Sequence, residues 1–162
     1  MHSLSRNAVL ALIGVTLVLH TTEEYLTFPA FLWSSSRLQR WLPTPDFLQN
    51  PQHLRLALVM ATVLPLAVIA WALLRPNKGL LISVLFLESF LLVNAGWHIL
   101  AALLRGGHAP GVVTAVLINL PFGIYVLRRA VKEKWIGART AWQLIGIAVV
   151  VHIVGTGRFL AG

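Results

Sequence analysis

The sequence has no cysteine among its 162 residues. That absence excludes disulfides, thiolate metal sites and cysteine nucleophiles. Charge is scarce as well: 11% of residues are charged, where a soluble domain carries about 25%. An ordinary soluble enzyme is therefore not expected. Acids are the scarcest charged class, with only Glu23, Glu24, Asp46, Glu88 and Glu133 against 13 Lys and Arg, for a net charge of +8. A nucleic-acid binder presents such an excess on a polar face. Here the basic residues sit between long apolar runs, so no nucleic-acid partner is expected. The sequence also lacks a Gly-rich phosphate loop and a dinucleotide fingerprint. Ser34, Ser35 and Ser36 have no identifiable base partner, so a serine nucleophile is not indicated.

What is abundant is apolar sequence, 57% of residues, with a mean hydropathy of +0.79. A membrane span needs about 20 predominantly apolar residues. Five stretches qualify, near 8–26, 54–74, 79–104, 110–127 and 140–160. The expected fold is an all-α, polytopic membrane bundle of about five helices in one domain. The first run is too long for a cleaved signal peptide, and no small-residue cleavage site follows Glu24. Asn50-Pro51 offers an N-cap and a first-turn proline. Arg75-Pro76-Asn77-Lys78 reads as a tight polar turn, and residues 106–110 as a break. Pro65 and Pro121 lie inside spans and should kink them.

Basic residues give an orientation. Arg6, Arg75, Lys78, Arg128, Arg129, Lys132, Lys134 and Arg139 fall on one side; Arg37, Arg40, Arg55, Arg105 and Arg158 fall on the other. The larger set predicts a cytoplasmic N-terminus in a bacterial inner (plasma) membrane, with the bilayer and its anionic lipids as partners. The external segment 27–53 carries Phe28, Phe31, Trp33, Trp41 and Phe47. A short interfacial helix through Phe31, Leu38 and Leu42 fits it, as an anchor or as a lid over a site.

Three of the five acids, Glu23, Glu24 and Glu88, lie in or at the ends of spans, as do His20, His98 and His152. Ionisable groups at a helix centre cost roughly 2.5–3.5 kcal/mol on insertion scales, so a concentration of them reads as a functional site. His20, Glu23 and Glu24 stand at i, i+3 and i+4 and share a face. Asn94 and His98 are one turn apart. At about 1.5 Å per residue, these groups and His152 fall in the outer half of the bilayer. Glu88 falls on the inner side, as a pocket floor or supporting partner, and Asn119 lies near the middle of the fourth span. Imidazoles and carboxylates without sulfur suit Zn, Fe or Mn. His20, Glu23, Glu24, His98 and His152 are the expected ligands of one or two ions. The competing reading for each histidine is a hydrogen-bonded core residue; for Glu23 or Glu24 it is a carboxylate facing water. Arg158 either snorkels to the surface or neutralises a site carboxylate. His2 and His53 read as solvated.

The stretch His20-Thr21-Thr22-Glu23-Glu24 is similar to the motif that names the HXXEE-domain membrane proteins. That family is also described by a further histidine, for which His98 is the candidate, and by a Tyr-x-Pro-Gly motif. His108-Ala109-Pro110-Gly111 resembles the latter with histidine replacing tyrosine. His108 would then donate a hydrogen bond or bind metal. The resemblance covers about residues 7–129 and implies a membrane protein, with no settled reaction.

The expected function is a metal-dependent membrane enzyme acting on an apolar or lipid-like substrate. Two irons would oxidise it; zinc would hydrolyse it with a bound water of pKa near 7. Glu24, Glu88, Asn94 and His108 are the expected catalytic or supporting residues. One alternative is a metal-free acid–base isomerase or cyclase, with Trp97 beside His98 stabilising a carbocation. Another is a proton-coupled carrier, which five spans would support only as a homo-oligomer.

Overall fold

The computed structural model describes residues 4–34, 50–105 and 107–161. Five helices form from the apolar runs: α1 (Arg6–Ser34), α2 (Pro51–Leu74), α3 (Lys78–Arg105), α4 (Val112–Lys132) and α5 (Ala138–Ala161). Each contains a segment long and apolar enough to cross a membrane, and no strand occurs among the described residues. The fold is all-α, as expected.

The helix ends follow local chemistry. Asn50 Oδ1 accepts from Gln52 N at 2.9 Å, with Pro51 in the first turn, where its missing N–H is not needed. Asn77 Oδ1 accepts from Leu80 N at 2.9 Å and caps α3 in the same way. α1 runs well past residue 26, to Ser34, so Phe28, Phe31 and Trp33 continue the first helix and do not belong to a separate external segment. Leu38, Trp41, Leu42 and Phe47, with the interfacial helix and the lid or anchor read there, lie outside the described residues.

α4 is irregular at its start. A single α-turn (Val112–Thr114) passes into a π-helical stretch (Ala115–Asn119) before regular helix resumes over Leu120–Lys132. Leu120 N donates back to Ala115 O, five residues earlier. Pro121 follows immediately. Its ring would crowd the carbonyl four residues back, and the widened π turn is the form its accommodation takes here.

α3 is the central helix and touches the other four. Small residues allow the close approach that membrane helices need: Ala95, Ala115, Ala130 and Ala148 are fully buried. Val9, Ile13, Val84, Leu85 and Val126 fill the space between them. The outside is apolar in turn, with Leu56, Val63, Leu74, Leu117 and Trp142 exposed. In lipid this is the comfortable arrangement, because hydrocarbon covers such faces as well as protein does.

Candidate functional site

The site is built where α1, α3 and the start of α4 meet. Threonines near His20 on α1 satisfy themselves on their own helix. Thr21 and Thr22 donate to Leu17 O and Val18 O at 2.7 and 2.6 Å. Thr62 of α2 donates to the Thr21 hydroxyl at 2.9 Å, tying α2 to this turn. The side chains of His20, Glu23 and Glu24 are left to reach across helices.

Glu23 reaches α4. Its Oε1 accepts from Val113 N at 3.1 Å, and its Oε2 accepts from Thr114 N at 2.7 Å and the Thr114 hydroxyl at 2.6 Å. A carboxylate on the exposed N–H groups of a helix start is favourable for both partners. The single hydroxyl proton of Thr114 is thus given to Glu23, so its oxygen is an acceptor toward His20 Nδ1 at 2.8 Å. The proton on His20 is thereby assigned to Nδ1, leaving Nε2 bare.

That bare nitrogen faces α3. Asn94 Nδ2 donates to His20 Nε2 at 2.9 Å and to His98 Nε2 at 3.0 Å, covering two imidazole lone pairs with one amide group. Glu24 Oε1 lies 3.0 Å from His98 Nε2 and 3.9 Å from His20 Nε2. Two acceptor atoms at 3.0 Å repel unless a positive particle lies between them. The contact between His98 and Glu24 therefore requires a proton between the two atoms, on either partner, or a cation. His20, Glu24 and His98 are buried, and one ligand atom from each falls within 4.8 Å of the others. No other group of three or more such residues occurs among the described residues.

Gly111 closes the site. Its φ of +73° is the left-handed region that favours glycine. A Cβ there would stand 2.7 Å from His20 Cε1 and 3.2 Å from both Glu24 Cγ and His98 Cε1. Backbone in place of a side chain lets the chain reverse directly over the three residues. Below the site lies a cavity of about 390 Å³. His20, Thr21, Glu24 and Asn94 line one end, and Ile13, Leu17, Ile69, Phe86, Phe90 and Leu91 line much of the rest. It is an apolar chamber with a polar, titratable end.

A family model described as "Protein of unknown function with HXXEE motif" matches residues 11–126. The chain belongs to the HXXEE family. The matched region contains the whole site, from His20 to Thr114, and stops before α5. No curated protein and no solved structure matches the chain.

In this HXXEE protein the two adjacent glutamates of the motif part company. Successive helical residues point about 100° apart, so Glu24 joins the imidazoles while Glu23 holds α4 and, through Thr114, orients His20. Glu23, read from sequence as a ligand, is outside the three-residue group. So is His152, whose ring packs 5.6 Å from Phe90 and 5.8 Å from Trp97 where α5 meets α3. Trp97 thus faces α5, not the chamber. His108 is exposed, although Ala109, Pro110 and Gly111 after it are buried. Glu88 does not floor the chamber: it faces α4, with its Oε1 over Gly123. Asn119, one turn before Gly123, is likewise buried away from the group. Arg158's side chain lies outside the described residues. Sequence reading missed Gly111 and Thr114 as site residues; the Pro-Gly pair, followed three positions later by a hydroxyl at a helix start, was the available signal.

Proposed function

We propose that the protein is a metal-dependent integral membrane enzyme that holds one ion with His20, Glu24 and His98 and acts on the polar end of a lipid-like molecule. The observation that carries the reading is that one imidazole nitrogen from each of His20 and His98 and one carboxylate oxygen of Glu24 come within 4.8 Å of one another. Two histidines and a carboxylate are a recurrent donor set for iron and for catalytic zinc, and leave positions open. His98 Nε2 and His20 Nε2 lie 3.0 and 3.9 Å from the same carboxylate oxygen, Glu24 Oε1, so these three residues would hold the ion. Metal-binding histidines normally donate their other N–H to a fixed acceptor; His20 does so to Thr114, backed by Glu23. Three donors favour one ion over the pair considered from sequence. A bound zinc would supply an activated water for hydrolysis, and iron would supply redox chemistry for oxidation.

The chain's own residues set the rest. The apolar chamber takes the tail of the substrate and excludes water, placing its polar end against His20, Glu24 and Asn94. The eight-to-five division of basic residues supports a cytoplasmic N-terminus and a site toward the external side of a bacterial plasma membrane. The 3.0 Å contact between Glu24 and His98 also favours a second reading, in which Glu24 carries the proton and acts as a general acid on an alkene held in the chamber.

Elemental analysis of the detergent-purified protein separates the two. The metal reading expects about one equivalent of a transition metal. His20→Ala, Glu24→Ala and His98→Ala should each lose it, while His108→Ala and His152→Ala retain it. Folded protein that takes up no zinc or ferrous iron refutes it and leaves the acid–base reading.

A further inference from the structure

The end of the bundle away from the His/Glu group holds a second cavity, about 400 Å³ in volume. Along α1, Arg6 at its rim is about 21 Å from His20 at the helical rise. Three separate segments wall it: the first turn of α1 with Arg6 and Asn7, the turn between α2 and α3 with Asn77 and Lys78, and the turn between α4 and α5 with Lys134 and Trp135. Arg6, Lys78 and Lys134 each bring a positive charge. Among the described residues, none of the three cations has a carboxylate within 4.0 Å.

One acid, Glu133, lines the same cavity, and it is already engaged. Its Oε1 accepts from Arg129 Nε at 2.7 Å, and its Oε2 accepts from Trp135 Nε1 at 3.1 Å. The hydrogen bond from Arg129 holds the Glu133 carboxyl below the usual carboxylate range. Arg129 is itself fastened to the Tyr125 hydroxyl and to the Leu4 carbonyl. This acid serves to brace the turn. Lys134 sits in that turn at φ +59°, a left-handed backbone, with its N–H on Val131 O and the next N–H on Ala130 O. The turn is built to set Lys134 opposite Arg6 and Lys78 despite the repulsion among them.

The position of the cavity indicates its occupant. Ala72 of α2 lines it, while the neighbouring Trp71 and Leu74 are 61% and 78% exposed to the apolar surroundings of the bundle. The cavity thus lies where acyl chains give way to headgroups. We propose that it binds the headgroup of an anionic phospholipid, with the phosphate held by Arg6, Lys78 and Lys134 and the acyl chains lying along α2. Such a lipid neutralises three like charges at once and clamps the α4–α5 turn to α1 and α3.

Native mass spectrometry of the full chain from mixed micelles tests this, with phosphatidylglycerol competing against phosphatidylcholine of the same acyl chains. The protein should retain phosphatidylglycerol in preference. Removing Arg6, Lys78 and Lys134 together (Arg6→Gln, Lys78→Gln, Lys134→Asn, the last tolerant of left-handed backbone) should abolish that preference. Removing the same charge at the same end with Arg75→Gln, Arg128→Gln and Arg139→Gln should leave it intact. If the first triple variant does not fold, Lys78→Gln alone should weaken the preference about fivefold. Equal loss in both triple variants, or no preference in the native chain, overturns the site in favour of diffuse attraction. Inorganic phosphate bound with the same dependence on Arg6, Lys78 and Lys134, and displacing the lipid, would show a site for a free anion and overturn the lipid assignment.

Discussion

Replacing Gly111 with alanine adds one methyl group, and its cost can be worked from the geometry. The backbone at φ +73° is costly for any residue with a Cβ, about 1–2 kcal/mol. The methyl would then lie 2.7 Å from His20 Cε1, well inside the 3.4 Å at which ordinary contact begins. His20 cannot swing away: its ring is tied to Thr114 at one nitrogen and to Asn94 at the other, and it is 1% exposed. Glu24 and His98 press from the other sides at 3.2 Å. Overpacking of this kind costs about 1–3 kcal/mol. Gly111→Ala should therefore lose about 2–5 kcal/mol of unfolding free energy. Tryptophan fluorescence during titration with SDS in mixed micelles reads this out. Gly146→Ala on α5 is the control, since nothing lies within 4 Å of its new Cβ; it should be neutral or stabilise by about 0.5–1 kcal/mol. A Gly111→Ala protein within about 0.5 kcal/mol of the parent would show that the chain does not pass over His20 as described.

Two further substitutions probe the buried polar groups. Thr114→Val removes the hydroxyl between His20 and Glu23 while keeping the shape. It should cost about 1–3 kcal/mol and release the fixed tautomer of His20, seen in the ¹⁵N shifts of its ring; an unchanged spectrum would refute the relay. Glu88→Met removes a carboxylate whose Oε2 is buried with no hydrogen-bond partner. Because no bond is lost, stability should hold or rise by about 1 kcal/mol; a fall of more than about 2 kcal/mol in the same titration would contradict its placement.

Much of the architecture was legible from the chain alone, because a membrane span is a local property. About 20 apolar residues must satisfy their backbone within the helix, so hydropathy located all five helices, and Asn50-Pro51 marked the start of α2. Irregularity was less legible. The π stretch at Ala115–Asn119 depends on how α4 packs as well as on Pro121, and α1 continues through Phe28, Phe31 and Trp33, which composition assigned to a separate external segment with its own short interfacial helix.

The scarcity of acids was the most informative signal, since three of five stood where ionisation is most costly. Helical periodicity placed His20 and Glu24 on one face and Asn94 and His98 on another. It could not say which faces meet. Glu23 and Glu24 are neighbours in sequence with the same chemistry, and only the crossing of α1 with α3 and α4 sends one to the imidazoles and the other to a helix N-terminus. His152 shares the depth of the site yet packs on Phe90 and Trp97, because depth is set by residue number and azimuth by packing. The sequence by itself determined the helices, their order and the unusual burial of carboxylates and histidines. The tertiary structure alone decided which of those groups converge, because convergence depends on helix rotation and on a glycine small enough to let the chain cross over them.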